Sequence, residues 1–154
     1  MHRPANVDAE HGLKLMMDEI ISCSNGLPII FPVHPRTAKN LENLGIKANN
    51  LYMTDPMSYL EFNYLVEKAK CVVTDSGGIT EETTVMKVPC ITLRTTTERP
   101  ETISVGTNEL IGIDPKAIKP AFEKLFSGKW TEGGIPELWD GKTGVRIVQH
   151  LLEL

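Results

Sequence analysis

The 154-residue chain is 41% apolar and 23% charged, with a formal net charge of −4, the composition of an ordinary soluble globular domain able to bury one core. This balance excludes a general electrostatic attraction to nucleic acid or to an anionic membrane, so any anion site must be local. Its longest apolar runs fall short of the roughly 18 residues of a membrane span, and no basic-then-apolar leader opens it. Three cysteines, Cys23, Cys71 and Cys90, without a CxxC pair, read as small core residues of a reducing cytosol, and a cytoplasmic protein is expected.

Taken in order, residues 1–8 read as a polar surface loop, with Asp8 the N-cap of the first helix. Leu13, Met16, Met17, Ile20 and Ile21 recur at helical spacing and form a core stripe that ends near Asn25-Gly26. Residues 27–33 are a continuous apolar run, a buried strand, with His34-Pro35-Arg36-Thr37 at its carboxyl end. Thr37 starts a helix to Leu44, which Gly45 closes. A short strand at 51–53 is broken by Asp55-Pro56, and Ser58 caps a helix carrying Tyr59, Leu60, Phe62, Leu65, Val66 and Ala69.

Residues 71–74 are a further buried strand, and a helix follows from Ile79 to about Met86. After Pro89 comes a strand at 90–93, then a polar loop over 94–101, and a last strand at 108–111. Asp114 caps a helix with Ile118, Ala121, Phe122, Leu125 and Phe126 at helical spacing. Gly133-Gly134-Ile135-Pro136 makes a turn-rich connection, and a final helix covers about 141–153. Short apolar strands alternating with amphipathic helices predict an α/β fold, a mainly parallel sheet covered on both faces. One domain over residues 1–154 is expected.

In such sheets ligands bind beyond the carboxyl ends of the strands. Three polar clusters fall there: residues 34–36, residues 75–78 with Glu81 and Glu82, and residues 94–99. The middle cluster, Asp75-Ser76-Gly77-Gly78 running into Ile79-Thr80-Glu81-Glu82, reads as a strand, a tight turn and a new helix. Its glycines would supply unusual backbone angles, and its unpaired N–H groups would face a phosphate or diphosphate. The same sequence also occurs with no ligand.

Glu82 is placed either to accept two hydrogen bonds from a ribose or merely to complement the helix dipole in the first turn. Arg99 either meets a phosphate or pairs with Glu98 on the surface. His34 and His2 are candidates for anion binding or acid/base work, against a purely structural role. Four histidines without companions at ligand spacing make no metal site.

Five segments carry a resemblance: His2-Arg3-Pro4-x-Asn6-Val7-Asp8, residues 31–37, residues 74–82 with Ser76-Gly77-Gly78, Thr97-Glu98-Arg99-Pro100-Glu101, and Trp139-Asp140-Gly141-Lys142. In this order and spacing they resemble the UDP-N-acetylglucosamine 2-epimerase family, from end to end of the chain but over only the carboxyl-terminal half of the family's sequence. The resemblance implies a Rossmann-like three-layer domain, the carboxyl-terminal half of a glycosyltransferase-B type fold. It implies interconversion of UDP-GlcNAc and UDP-ManNAc by elimination and re-addition of UDP, in polysaccharide biosynthesis, with no nicotinamide or metal cofactor.

Carried over by position, Ser76, Gly77 and Gly78 are diphosphate ligands, Glu82 the ribose ligand, Arg99 a phosphate contact and Phe62 the uracil-packing residue. His2 would stabilise departing UDP. The family's acidic residues for the C2 proton belong to the amino-terminal half, so the chain alone is expected to be inactive, with a missing half or partner subunit and a homo-oligomer as expected partners. A non-catalytic nucleotide-sugar or assembly module and a glycosyltransferase-B type transferase domain stand as alternatives.

The family's strand that leads into the His-Arg motif has no counterpart here, and it would be the central one, between the strands at 29–33 and 71–74. Five strands are therefore expected, with the two flanking ones closing up to pair directly or the slot filled by a subunit contact.

Overall fold

The computed structural model describes residues 10–33 and 35–154. Asp8, His2 and His34 lie outside the described residues. Helix α1 (Glu10–Cys23) buries Leu13, Met16, Met17 and Ile20, the stripe that its spacing predicts, and the chain leaves it through left-handed Asn25 (φ 52°) and Gly26 (φ 75°). Strand β1 (Ile29–Pro32) follows, then α2 (Pro35–Asn43), β2 (Leu51–Thr54) and α3 (Tyr59–Lys68). Helix α2 begins at Pro35 and not at Thr37, since a proline is pre-set for the first helical turn and lacks only an N–H that would have no partner there.

Ser58 caps α3 with a reciprocal box: the Glu61 N–H donates to its Oγ at 3.5 Å, and the Glu61 carboxylate accepts from the Ser58 N–H at 3.0 Å and from its hydroxyl at 2.7 Å. These bonds hold the Glu61 carboxyl below its ordinary value of 4.5. A depressed folded value contributes stability that is present above pH 4.5 and is lost as pH falls through the lower folded value. Ser58→Ala is expected to lose about 1 kcal/mol at pH 7 and to flatten that part of the acid limb. Circular dichroism melts from pH 7 to pH 3 check this, and an unchanged acid limb would contradict it.

The second half runs β3 (Val72–Thr74), α4 (Gly77–Met86), β4 (Cys90–Thr92), the short helix α5 (Glu101–Ser104) and β5 (Asn108–Leu110). A 3-10 turn (Pro115–Ala117), capped by Asp114 as expected, leads into α6 (Ile118–Phe126), and α7 (Thr143–Leu152) closes the chain. All five expected strands are present, and no sixth occurs among the described residues.

Every strand pair is parallel, but the strands form two sheets: β1 with β2, and β3-β4-β5 with β4 central. The expected direct closure is therefore not what happens, because β1 and β3 do not pair. What joins the halves is one side-chain cluster. Leu13, Met17 and Ile20 of α1, Ile118, Phe122 and Leu125 of α6 and Ile91 of β4 pack together with Ile29 and Phe31 of β1 and Val73 of β3. Apolar burial beneath both sheets connects them without a hydrogen-bonded ladder.

Helix α7 buries none of its residues, and Val145, Val148, Leu151 and Leu152 are all exposed. No helix among the described residues is long and apolar enough to cross a membrane.

Candidate functional site

At the carboxyl end of β3 the Thr74 hydroxyl accepts the Ser76 N–H at 3.0 Å, and Ser76, in an extended conformation (φ −93°, ψ 129°), is the N-cap of α4. Helix α4 starts at Gly77, so both glycines lie within its first turn. The expectation of unusual backbone angles fails, since neither glycine has a positive φ. Their role is to have no side chain. A Cβ on Gly78 would meet nothing within 4 Å, and one on Gly77 would lie 3.4 Å from the Arg94 guanidinium and 3.5 Å from the Glu98 carboxylate. The helix start is thus open at Gly78 and bordered by Arg94 and Glu98 at Gly77, with first-turn N–H groups that have no intrahelical acceptor.

The earlier start also moves Glu82 into the second turn, where the dipole is a poor reason for an acid. Arg99 pairs with Glu81 of α4 and not with Glu98, correcting the surface pairing considered above. Glu98 is taken by Arg94, whose guanidinium donates to its carboxylate at 2.9 and 2.7 Å. Arg94 is only 6% exposed although it stands two residues beyond the end of β4. It was legible only as the first polar residue after an apolar strand.

Of these residues, Glu81, Glu82 and Arg99 line a cleft of about 590 Å³ that runs along α4 beyond its first turn. One rim is charged: Glu81, Glu82, Arg99 and Glu101. The other is aromatic and apolar: Tyr59, Val85, Met86, Leu138 and Trp139. Phe62, the residue singled out for uracil packing, is half-buried one turn after Tyr59 on α3, and it is Tyr59 that lines the cleft. Trp139 belongs to a segment whose neighbour Asp140 accepts the Lys142 N–H at 3.0 Å and pairs with Arg146 of α7, while Leu138 holds a left-handed conformation (φ 66°). Those two bonds hold the Asp140 carboxyl low. The structure thus sets Glu82 and Arg99 in the cleft, while Ser76, Gly77 and Gly78 form the start of the helix that carries Glu82.

A second cleft of about 620 Å³, lined by Ile21, Pro28, Asn50 and Tyr52, sits at the amino ends of β1 and β2, with no charged side chain among the described residues that line it. It lies at the wrong end of the strands for the chemistry described.

The model of the family described as UDP-N-acetylglucosamine 2-epimerase matches residues 1–152. The chain belongs to this family. It is 40% identical over 161 residues to the UDP-N-acetylglucosamine 2-epimerase of Methanocaldococcus jannaschii, covering 98% of this chain and 43% of that protein. The Methanococcus maripaludis enzyme of the same name is 39% identical, with 96% and 42% covered. Among solved structures, the M. jannaschii UDP-GlcNAc 2-epimerase superposes with a TM-score of 0.83 at 38% identity over 99% of this chain and 44% of its own. The same enzyme in complex with UDP-GlcNAc and UDP gives 0.81 at 38% identity, with the same coverage. The chain therefore spans less than half the length of these epimerases.

Cys90 is buried, which pushes its thiol up to about 11, and desolvation raises the Cys71 thiol as well, the opposite of the shift that activates a thiol.

Proposed function

We propose that this chain is the carboxyl-terminal, UDP-binding half of a UDP-N-acetylglucosamine 2-epimerase. The observation that carries the reading is the cleft beside α4, which gathers Tyr59, Trp139, the Glu82 carboxylate and Arg99 next to the helix whose first turn holds Gly77 and Gly78. A 38% identical relative whose structure is in complex with UDP-GlcNAc and UDP supports it.

In this reading the N–H groups at Gly77 and Gly78, with Ser76, hold the diphosphate. Arg99 exchanges Glu81 for a phosphate oxygen, and Glu82 accepts both ribose hydroxyls. Phe62 and Tyr59 flank the uracil. His2 and His34 address the departing UDP. Stabilising the charge on that leaving group is the part of the reaction this half performs. The C2 proton is taken and returned by residues of the other half, giving a glycal and then the inverted sugar.

That half is the expected partner, and a homo-oligomer is part of the proposal. Among the described residues β1 and β3 each pair on one edge only, which leaves a place for a parallel strand, and the exposed apolar stripe of α7 offers a second surface. Residues 1–154 act as one UDP-binding domain, and three free cysteines suit a reducing cytoplasm.

Calorimetry is expected to show UDP binding to the chain alone. Incubation with UDP-GlcNAc in deuterated water is expected to leave C2 unlabelled until the complementary half of an epimerase is added. Absence of UDP binding overturns the site assignment, and deuterium at C2 with the chain alone overturns the division of labour.

A further inference from the structure

One hydrogen-bonded chain crosses the buried interior and ends beneath the cleft. The Thr92 hydroxyl on β4 donates to the Asn108 amide oxygen at 2.5 Å, and the Asn108 amide nitrogen, on β5, donates to the Thr102 hydroxyl at 3.2 Å. That hydroxyl in turn donates to the Arg99 carbonyl at 2.7 Å, where the Thr102 N–H also arrives at 3.1 Å. Thr92, Thr102 and Asn108 are all buried. Three polar side chains in a dry interior are costly unless hydrogen-bonded, and here each of the three is.

The chain has a direction and an end. With its own proton given to Arg99, the Thr102 oxygen can only accept from Asn108, and Asn108 is oriented by Thr92. On the other side, the Arg99 N–H donates to the Thr97 hydroxyl at 3.1 Å, and Glu98 is clamped by buried Arg94. Both backbone groups of Arg99 are thus held, while its side chain, half-exposed, reaches across to Glu81 in the cleft. The hydroxyl of a separate buried threonine, Thr107, donates to the Val88 and Thr83 carbonyls. That network stitches the fold and touches no cleft residue.

We propose that Thr102 and Asn108 are positioning residues for Arg99: they set the backbone from which its guanidinium meets the phosphate end of a nucleoside diphosphate. This rests on the UDP-binding reading above. An arginine contact with a phosphate needs its planar fork aimed, so a small shift at the Cα lowers affinity for the phosphate while leaving the nucleoside end alone.

The test compares UDP and uridine by calorimetry on the full chain. Thr102→Val keeps the shape and removes the hydroxyl. It is expected to weaken UDP about fivefold, the size of one lost hydrogen bond, and to leave uridine unchanged. Thr102→Ser is expected to restore UDP affinity, and in an Arg99→Ala background Thr102→Val is expected to have no further effect. Should Thr102→Val fail to fold, Asn108→Asp serves instead: its second oxygen competes for the Thr102 proton, and the same UDP-specific loss is expected.

An equal loss for UDP and uridine, a loss that persists without Arg99, or no loss at all overturns the proposal. If Arg99→Ala weakens UDP and the Thr102 and Asn108 variants do not, only this inference fails. If the unaltered chain binds no UDP, the functional reading fails with it.

Discussion

Gly106→Ala is expected to cost about 3 kcal/mol of folding stability, at the upper end for overpacking a tight site. The added Cβ would lie 2.5 Å from the Thr102 carbonyl oxygen, 2.5 Å from the Thr84 hydroxyl and 2.7 Å from the Thr84 methyl. None of these can step aside easily. Thr84 is buried on α4 with its hydroxyl donating to the Thr80 carbonyl at 2.8 Å, and Thr102 is held at the start of α5. From the other side Gly133 presses on Gly106, and a Cβ there would sit 2.9 Å from the Gly106 carbonyl group in a left-handed conformation (φ 66°). The segment is tied down by the Gly134 N–H on the Val105 carbonyl at 2.7 Å and the Trp130 indole N–H on the Thr107 carbonyl at 2.8 Å.

Urea midpoints measure the effect. Gly78→Ala is the control, because open space surrounds it within a helical turn and a stability gain of up to about 1 kcal/mol is expected. A Gly106→Ala protein as stable as the unaltered chain would show that this junction yields, against the reading here.

Glu82→Ala is expected to weaken UDP roughly thirtyfold, two charge-assisted hydrogen bonds to a ribose being worth about 2 kcal/mol together, and to leave inorganic diphosphate unaffected. The reasoning is positional. Glu81, its neighbour, is engaged with Arg99, whereas Glu82 lines the cleft one turn beyond the bare helix start. Titration of the variant with each ligand separates the possibilities: if diphosphate binding falls as far as UDP binding, Glu82 acts through the helix start and has no ribose role.

Much of the architecture was legible before any coordinates. Each strand is a short apolar run bounded by a breaker, such as Asp55-Pro56 after β2 or Pro89 before β4. Ser58 and Asp114 announced their helices because a capping hydroxyl or carboxylate acts on N–H groups two or three residues away. The clustering of Asp75–Gly78 and Arg94–Arg99 at carboxyl strand ends followed from the same alternation. What could not be read was anything that depends on a partner distant in the chain. Arg99 chose Glu81 across 18 residues over adjacent Glu98, because Arg94 had already claimed Glu98.

Sequence by itself therefore determined the element order, the parallel α/β class and the strand ends where a site would form, since these rest on periodicity, capping and turn chemistry acting over a few residues. Tertiary structure alone decided that Gly77 and Gly78 are helical, and that Tyr59 and Trp139 line the cleft. It also decided that β1 and β3 stay unpaired above a shared core. Those outcomes turn on which surfaces meet in space and on who competes for each carboxylate, and no local pattern encodes that competition.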